Sequence, residues 1–477
     1  MIFCPNYIAG KWQDTGQPHP IRNPADVTEI VAEAHLADAA LAKQAVEAAD
    51  SAWDSWRTSA GGERGHLLRQ VLATLQARRA DLAHTITLEN GKTLRESEAE
   101  VDAAIKEATY QLDFVQTHLV ETWDGHEVRH EPLGVALLLT PWNFPLATVL
   151  RKMVPALAAG NTVVLKPSEL TPATAVELFR VVDAVGLPAG VANLVLGEGP
   201  VVGTTLSQHP AVRAISFTGS TPVGLQLAES LGRRDVRLQA EMGGANAVVV
   251  LADADLEAAA EAAVSHGFAC CGQWCTGTSR VIVERSVYEE MLQRLTKRTQ
   301  KIVPGNGLDA RATMGPLISQ PQLQKVESVV AEALRHGARL VTGGKRPTGS
   351  AFERGHFFEP TILADVTSEM AVAREEIFGP VLLVLPAHDA DEARVLANHT
   401  PYGLAFSVFT QDAEQAERFV REVEAGVCHI NLPTAYRDPA FPLLGWKDSG
   451  RGWPEAGKYG LEFFTRPKAV YRQVDVG

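Results

Sequence analysis

The chain has 477 residues, 45% of them hydrophobic and 21% charged, which supplies a substantial core and lies far from disordered or collagen-like composition. Its 44 basic and 57 acidic side chains leave a formal charge of −13, which argues against nucleic acid or an anionic membrane as the main partner. Single cores rarely exceed about 250–300 residues, so about three domain-sized units are expected.

The N-terminal MIFCPNYIAGKWQD has no cationic start followed by an apolar stretch, so no secretory signal is expected, and no window reaches the roughly 18 apolar residues that span a bilayer. Five cysteines (Cys4, Cys270, Cys271, Cys275 and Cys428), an odd number, do not suit a disulfide framework. A reducing, cytoplasmic setting follows as the expectation. The run CCGQWC lacks a second ligand cluster at zinc spacing, and His126 and His130 read as part of a turn region, so no metal is expected.

From residue 38 to about 120 the chain carries helical periodicity. Leu67, Leu68, Val71, Leu72 and Leu75 fall on one face, and Val101, Ile105, Ala108, Leu112 and Val115 repeat the pattern. TWDGHEVRH, with its Asp124-Gly125 turn, then reads as a strand pair. Beyond it the runs GVALLLT, NTVVLK, ANLVL, VRAISF and AVVVL alternate with helix-like stretches. Continuous apolar runs mark parallel strands covered on both faces. A second series follows Cys275: SRVIVE, ARLVTGG, PVLLVLP, LAFSVFT and GVCHIN. The expected fold is α/β, two doubly wound units meeting near residues 240–275. TWDGHEVRH and the terminal FFTRPKAVYRQ belong to neither core and suit a small third sheet between subunits. Ligands in wound sheets bind beyond the carboxyl ends of strands, so chemistry is sought just after them.

No GxGxxG follows any strand, so the common dinucleotide fingerprint is missing. Two other turns suit that work. In TGSTPVG, Gly219 and Ser220 lead into a helix whose free N–H groups would hold a pyrophosphate. In KPSE, Lys166 and Glu169 would grip ribose hydroxyls. Taken singly, either is an ordinary capped turn. Cys275 is the strongest nucleophile candidate, because a Gly/Gln/Thr-rich turn after a helix-like segment is a place where a thiolate is exposed and stabilised by backbone N–H groups. Cys270 and Cys271, in an apolar run, fit inert buried thiols better. Asn143 in TPWNFP and Glu241 in AEMGG each follow a strand end, suiting an oxyanion donor and a general base; a turn-stabilising asparagine and a helix-capping or ion-paired glutamate are the bland alternatives.

PWNFP, TVVLKPSE, FTGS, EMGG, GQWCT and EEIFGP stand in one order along the chain, with LENGK before them and KDSGRG after them. Together they resemble the NAD(P)-dependent aldehyde dehydrogenase superfamily over nearly the whole length. The resemblance implies a nucleotide-binding domain at 1–112 and 132–240, oligomerisation strands at 113–131 and 462–477, and a catalytic domain at 241–461. It implies Cys275 as nucleophile, Asn143 with the Cys275 N–H as oxyanion hole, and Glu241 as base. The implied cofactor contacts are Trp142, Lys166, Ser168, Glu169, Gly199, Phe217, Thr218, Gly219, Ser220, Val223, Met242, Gly243, Glu376 and Phe378. NAD is the expected cofactor with NADP as alternative, since a carboxylate at Glu169 would repel a 2′-phosphate. A homodimer or homotetramer and a small aldehyde substrate are implied as well. Two departures, Ala245 after EMGG and PLLGWKDSG near the end, bear on the shape of the substrate and cofactor channels.

Arg151 lies eight residues after Asn143, about two helical turns, and matches an arginine in members resembling semialdehyde and lactaldehyde dehydrogenases. With Arg437 it is a candidate anchor for a substrate carboxylate or hydroxyl; the alternative is a plain salt bridge. Phe144, Trp274, Thr276 and Tyr436 complete the expected substrate lining, along with Trp142. An aromatic lining would equally suit benzaldehyde- or vanillin-type substrates. Rival functions are a coenzyme A-acylating relative, which the base Glu241 argues against, a non-catalytic protein retaining the fold, and a cofactor-free thiol esterase.

Overall fold

The apolar runs do become central parallel strands, in a computed structural model that describes residues 1–473. In the first sheet, five parallel strands lie in the order Arg237–Glu241, Val212–Thr218, Val135–Leu139, Thr162–Lys166, Ala192–Leu194. Asn6–Ile8 and Lys11–Gln13 extend one edge antiparallel, and Gly450–Gly452 the other. Val135–Leu139 comes first of the five in the chain yet sits between Val212–Thr218 and Thr162–Lys166. Chain connections therefore leave it on opposite sides, which opens a crevice at its carboxyl end.

The second sheet runs Thr361–Ala364, Val381–Ala387, Thr278–Glu284, Asn246–Val250, Ala405–Phe409, Val427–Ile430 in parallel, with Arg339–Thr342 antiparallel at one edge. Asn246–Val250 is buried along its whole length, as a strand covered on both faces must be. The two doubly wound units are thus as expected. Four helices, Ala39–Thr58, Gly61–Ala77, Arg79–Asn90 and Leu94–His118, account for the early periodicity. The last opens on a capping box between Thr93 and Glu96.

The unit boundaries shift from the expected ones. The helix Leu94–His118 passes residue 113 because Val115 still packs, fully buried, in the first core. The small sheet therefore begins at Val120–Trp123, which pairs with His126–Pro132, itself paired with Thr465–Val470. Its Asp124-Gly125 turn holds φ of 47° and 81°, the left-handed pair a two-residue hairpin requires. His126 and His130 belong to the strand His126–Pro132, not to the turn, and His130 lies 2.9 Å from Glu121. At the other end, Leu461, Phe463 and Phe464 are buried in the first core, so the chain re-enters the first unit well before residue 461. The final four residues of the expected 462–477 segment lie outside the described residues. The N-terminal strands Ile2–Cys4, Gln17–Asn23 and Asp26–Leu36 form a separate sheet that periodicity did not announce. Among the described residues, no helix is long and apolar enough to cross a membrane.

Candidate active site

Glu241 ends a strand of the first sheet, and Asn246 begins a strand of the second. The carboxyl edge of one sheet therefore meets the amino edge of the other, and the candidate residues converge between them. Asn143 and Gly219 come from the first edge, as the rule for wound sheets demands. Cys275 and Glu376 come from the second, where they precede the strands Thr278–Glu284 and Val381–Ala387 instead of following them.

The Cys275 turn is built under constraint. Cys270, Cys271 and Gly272 take φ of 52°, 57° and 67°, three left-handed residues in succession, a conformation that persists only where surrounding contacts impose it. At Gly272 a Cβ would stand 2.0 Å from the Gly379 carbonyl, so this turn touches the turn that carries Glu376 and Phe378. Asn246 Nδ2 donates to the carbonyls of Cys275 (2.7 Å) and Gly277 (2.8 Å), while its Oδ1 accepts from Ala405 N. Asn143 Nδ2 donates 3.0 Å to the Gln273 carbonyl, which brings the expected oxyanion donor within two residues of the nucleophile.

The expected exposed, stabilised thiolate is not what the structure holds. Cys275 is half-buried, and desolvation, aided by Glu376 and Glu241 and opposed by Arg151 and Arg437, pushes its thiol up to about 12. Cys270 and Cys271 are buried, and burial raises both thiols, as inert cysteines require.

Glu241 is 4% exposed, and its Oε2 finds no hydrogen-bond partner among the described residues. Burial and then Glu455 push its carboxyl up to about 8, against the pull of Lys152, Arg437 and Arg151. Lys152 is ion-paired to Glu455 and donates 2.8 Å to Ser216 Oγ. Neither Lys152 nor Glu455 was singled out from the sequence, and nor was Asn246. Lys152 did carry a signal, as a second cation beside Arg151 in the otherwise apolar helix Ala147–Ala159. Glu455 and Asn246 carried none.

Both prongs of the Arg151 guanidinium are taken by Glu107, at 2.9 and 3.0 Å, with Glu455 3.6 Å from Nη1. The salt-bridge alternative describes it. Arg437 is different: its Nη2 reaches Glu107 at 3.3 Å, whereas its buried Nη1 has no partner among the described residues. Phe144 and Trp274 pack at 5.1 Å between ring centroids. Tyr436 is half exposed, its ring edge-on to His429. Thr276 is buried with its Oγ1 unpartnered among the described residues.

Trp142, Lys166, Ser168, Glu169, Gly199, Phe217, Thr218, Gly219, Ser220 and Val223 line one cleft of 710 Å³ at the switch point of the first sheet. The helix Thr221–Leu231 starts there, and Ser220 makes no side-chain cap bond, which leaves its first N–H groups for a ligand phosphate. A Cβ at Gly219 would stand 2.6 Å from the Phe217 ring, so the backbone passes where no side chain fits. Lys166, buried, lies 3.5 Å from Glu169. These features fit a dinucleotide. Phe378, left-handed at φ 57°, meets Trp142 edge-on at 5.4 Å. Glu376 Oε1 accepts from Gly244 N at 3.0 Å, and a Cβ on Gly243 would stand 2.5 Å from its Oε2. The Met242 side chain, 1% exposed, packs in the core beneath Gly224, so only its backbone faces the expected cofactor region. Among the described residues, no group of three His, Cys, Asp or Glu side chains is placed to hold a metal.

A model of the aldehyde dehydrogenase family matches residues 12–470. The chain is 40% identical to an alpha-ketoglutarate semialdehyde dehydrogenase of Haloferax volcanii, over 98% of each chain. It is 38% identical to an alpha-ketoglutaric semialdehyde dehydrogenase of Bacillus subtilis, over 98% of this chain and 97% of that one. Among solved structures it resembles the betaine aldehyde dehydrogenase of Staphylococcus aureus in complex with NAD+, at TM-score 0.94 and 34% identity, covering 99% of this chain and 96% of that one.

Proposed function

Because the chain belongs to the aldehyde dehydrogenase family, we propose that this oxidoreductase acts through Cys275 on an aldehyde bearing a carboxylate at its far end. The observation that carries the substrate class is Arg437, a partly buried arginine whose charge acts on Cys275 and whose buried Nη1 is unpartnered among the described residues. Two relatives, the Haloferax volcanii and Bacillus subtilis enzymes, are named for such a semialdehyde, which supports the reading.

In the proposed cycle the Cys275 thiol gives its proton to solvent water, and the resulting thiolate attacks the aldehyde carbon. The new oxyanion is met by the Asn143 amide and the Cys275 N–H, and losing one such donor typically costs about 10²–10³ in rate. When bound, NAD(P) supplies the acceptor for the hydride that converts the hemithioacetal to a thioester. Glu241 then takes a proton from water, which hydrolyses the thioester, frees the carboxylic acid and restores the thiol. Lys166 and Glu169 would hold the adenine-side ribose, the start of the helix Thr221–Leu231 the pyrophosphate, and Glu376 the nicotinamide-side ribose. The small three-stranded sheet, with Trp123 exposed, is the proposed contact between copies of the chain.

An aldehyde panel run with both nicotinamide cofactors tests the reading. Arg437→Met should lower kcat/KM for a semialdehyde carboxylate by about 10- to 100-fold, as losing a charge-assisted bond of about 1.5–3 kcal/mol implies. A neutral aldehyde of equal length should change little; an equal loss on both would remove the anchor. The packed Phe144 and Trp274 rings favour a second reading, an aromatic aldehyde, which benzaldehyde in the same panel addresses. Glu169→Ser should raise the NADP:NAD ratio of kcat/KM by about tenfold, since the repelling carboxylate is gone. An unmoved ratio would mean that Glu169 lies outside the reach of a 2′-phosphate.

A further inference from the structure

Lys92, in the LENGK segment, is a fully buried lysine that the chemistry above leaves unused. Its side chain is 1% exposed and that of its partner Glu100 is 0%. Burying such a pair seldom adds stability over apolar packing, so its placement calls for another account. The ammonium has three partners: Glu100 Oε2 at 2.7 Å, the backbone carbonyl of Asn143 at 2.7 Å, and the face of the Phe144 ring, 4.1 Å from its centroid. Glu100 reaches on with its other oxygen to the N–H groups of Leu146 and Ala147, at 2.9 and 3.1 Å. Asn90 Nδ2 donates to the Trp142 carbonyl at 2.9 Å. Three side chains of residues 90–100 therefore brace the segment 142–147, each at a different point. The same stretch reaches the nucleophile's turn, where Glu96 Oε1 accepts from Cys270 N at 2.6 Å.

We propose that Lys92 is a positioning residue for the oxyanion donor: by holding the Asn143 carbonyl and the Phe144 ring together, it sets the peptide from which the Asn143 amide is aimed. A carbonyl gripped by an ammonium cannot rotate with its peptide plane without breaking a charge-assisted bond. The side chain of the same residue inherits that constraint, and the substrate wall at Phe144 is fixed in the same stroke. The inference rests on Asn143 being the oxyanion donor.

The test is a double-mutant cycle with Lys92→Met, which keeps the length and removes the charge, and Asn143→Ala, read as the pre-steady-state rate of NADH formation. Lys92→Met should slow that step about 10- to 100-fold, less than the 10²–10³-fold of losing the donor outright. It should leave the dissociation constant for NAD unchanged and slow Asn143→Ala less than about twofold. Lys92→Arg, which retains a cation at the carbonyl, should recover part of the rate, and it carries the same cycle if the methionine variant does not fold. A full Lys92→Met effect surviving in Asn143→Ala would overturn the proposal alone. A wild-type rate for Asn143→Ala would overturn the oxyanion reading, and the proposal with it.

Discussion

Cys275→Ala should form NADH at less than about one part in 10⁴ of the wild-type rate with every aldehyde, on the scale of removing a covalent nucleophile. Its fold should persist, because the turn is held by Asn246 through the carbonyls of Cys275 and Gly277 and by Asn143 through Gln273, none of which uses the sulfur. A cofactor titration and a melting curve separate lost chemistry from lost structure. Esterase activity should vanish with NADH formation, since both draw on one thiol. In the wild type, burial and the carboxylates of Glu376 and Glu241 hold the thiol near 12, far above neutral pH. Only the thiolate reacts, so alkylation of Cys275 by iodoacetamide should accelerate about tenfold per pH unit through the neutral range. Measurable turnover by the alanine variant would move the nucleophile elsewhere.

Glu241→Gln should separate the two halves of the reaction. Acylation and hydride transfer need no base at that position after the thiol proton has left, so each active site should release one equivalent of NADH and then stall. Steady-state kcat should fall by about 10²–10⁴, the usual contribution of a general base. The pH dependence fixes the sign. With its carboxyl raised to about 8, Glu241 is mostly protonated at neutral pH, and the competent carboxylate form accumulates as pH rises. Wild-type deacylation should therefore rise about tenfold between pH 7 and 9 and then level off, while the residual glutamine rate shows no such inflection. Continued multiple turnover, or an unchanged inflection in the variant, would assign the base to another group.

The contrast between Arg151 and Arg437 shows where sequence reasoning stops. Eight-residue spacing put Arg151 on the face of Asn143, and it does lie near Cys275. That both its prongs are taken depends on Glu107, forty-four positions earlier on another helix, and no local pattern reports that pairing. The Met242 side chain shows the same limit: adjacent to Glu241, it points to the other side of the backbone and packs in the core. Lys152 and Glu455, which act on Glu241 alongside its burial, meet across 303 residues.

By itself the sequence determined the central strands of both sheets and the early helices, because continuous apolar runs, 3.6-residue periodicity and turn residues act over a few neighbours. It also determined that Asn143 and Gly219 lie at strand ends and that Cys275 lies in a turn. Only the tertiary structure decided that the amino edge of the second sheet closes over the carboxyl edge of the first. That closure buries Glu241 and half-buries Cys275 among shared charges, raising the proton affinity of both. Desolvation and Coulomb interaction depend on distance in space, and a chain folded over hundreds of residues sets those distances without leaving a local mark.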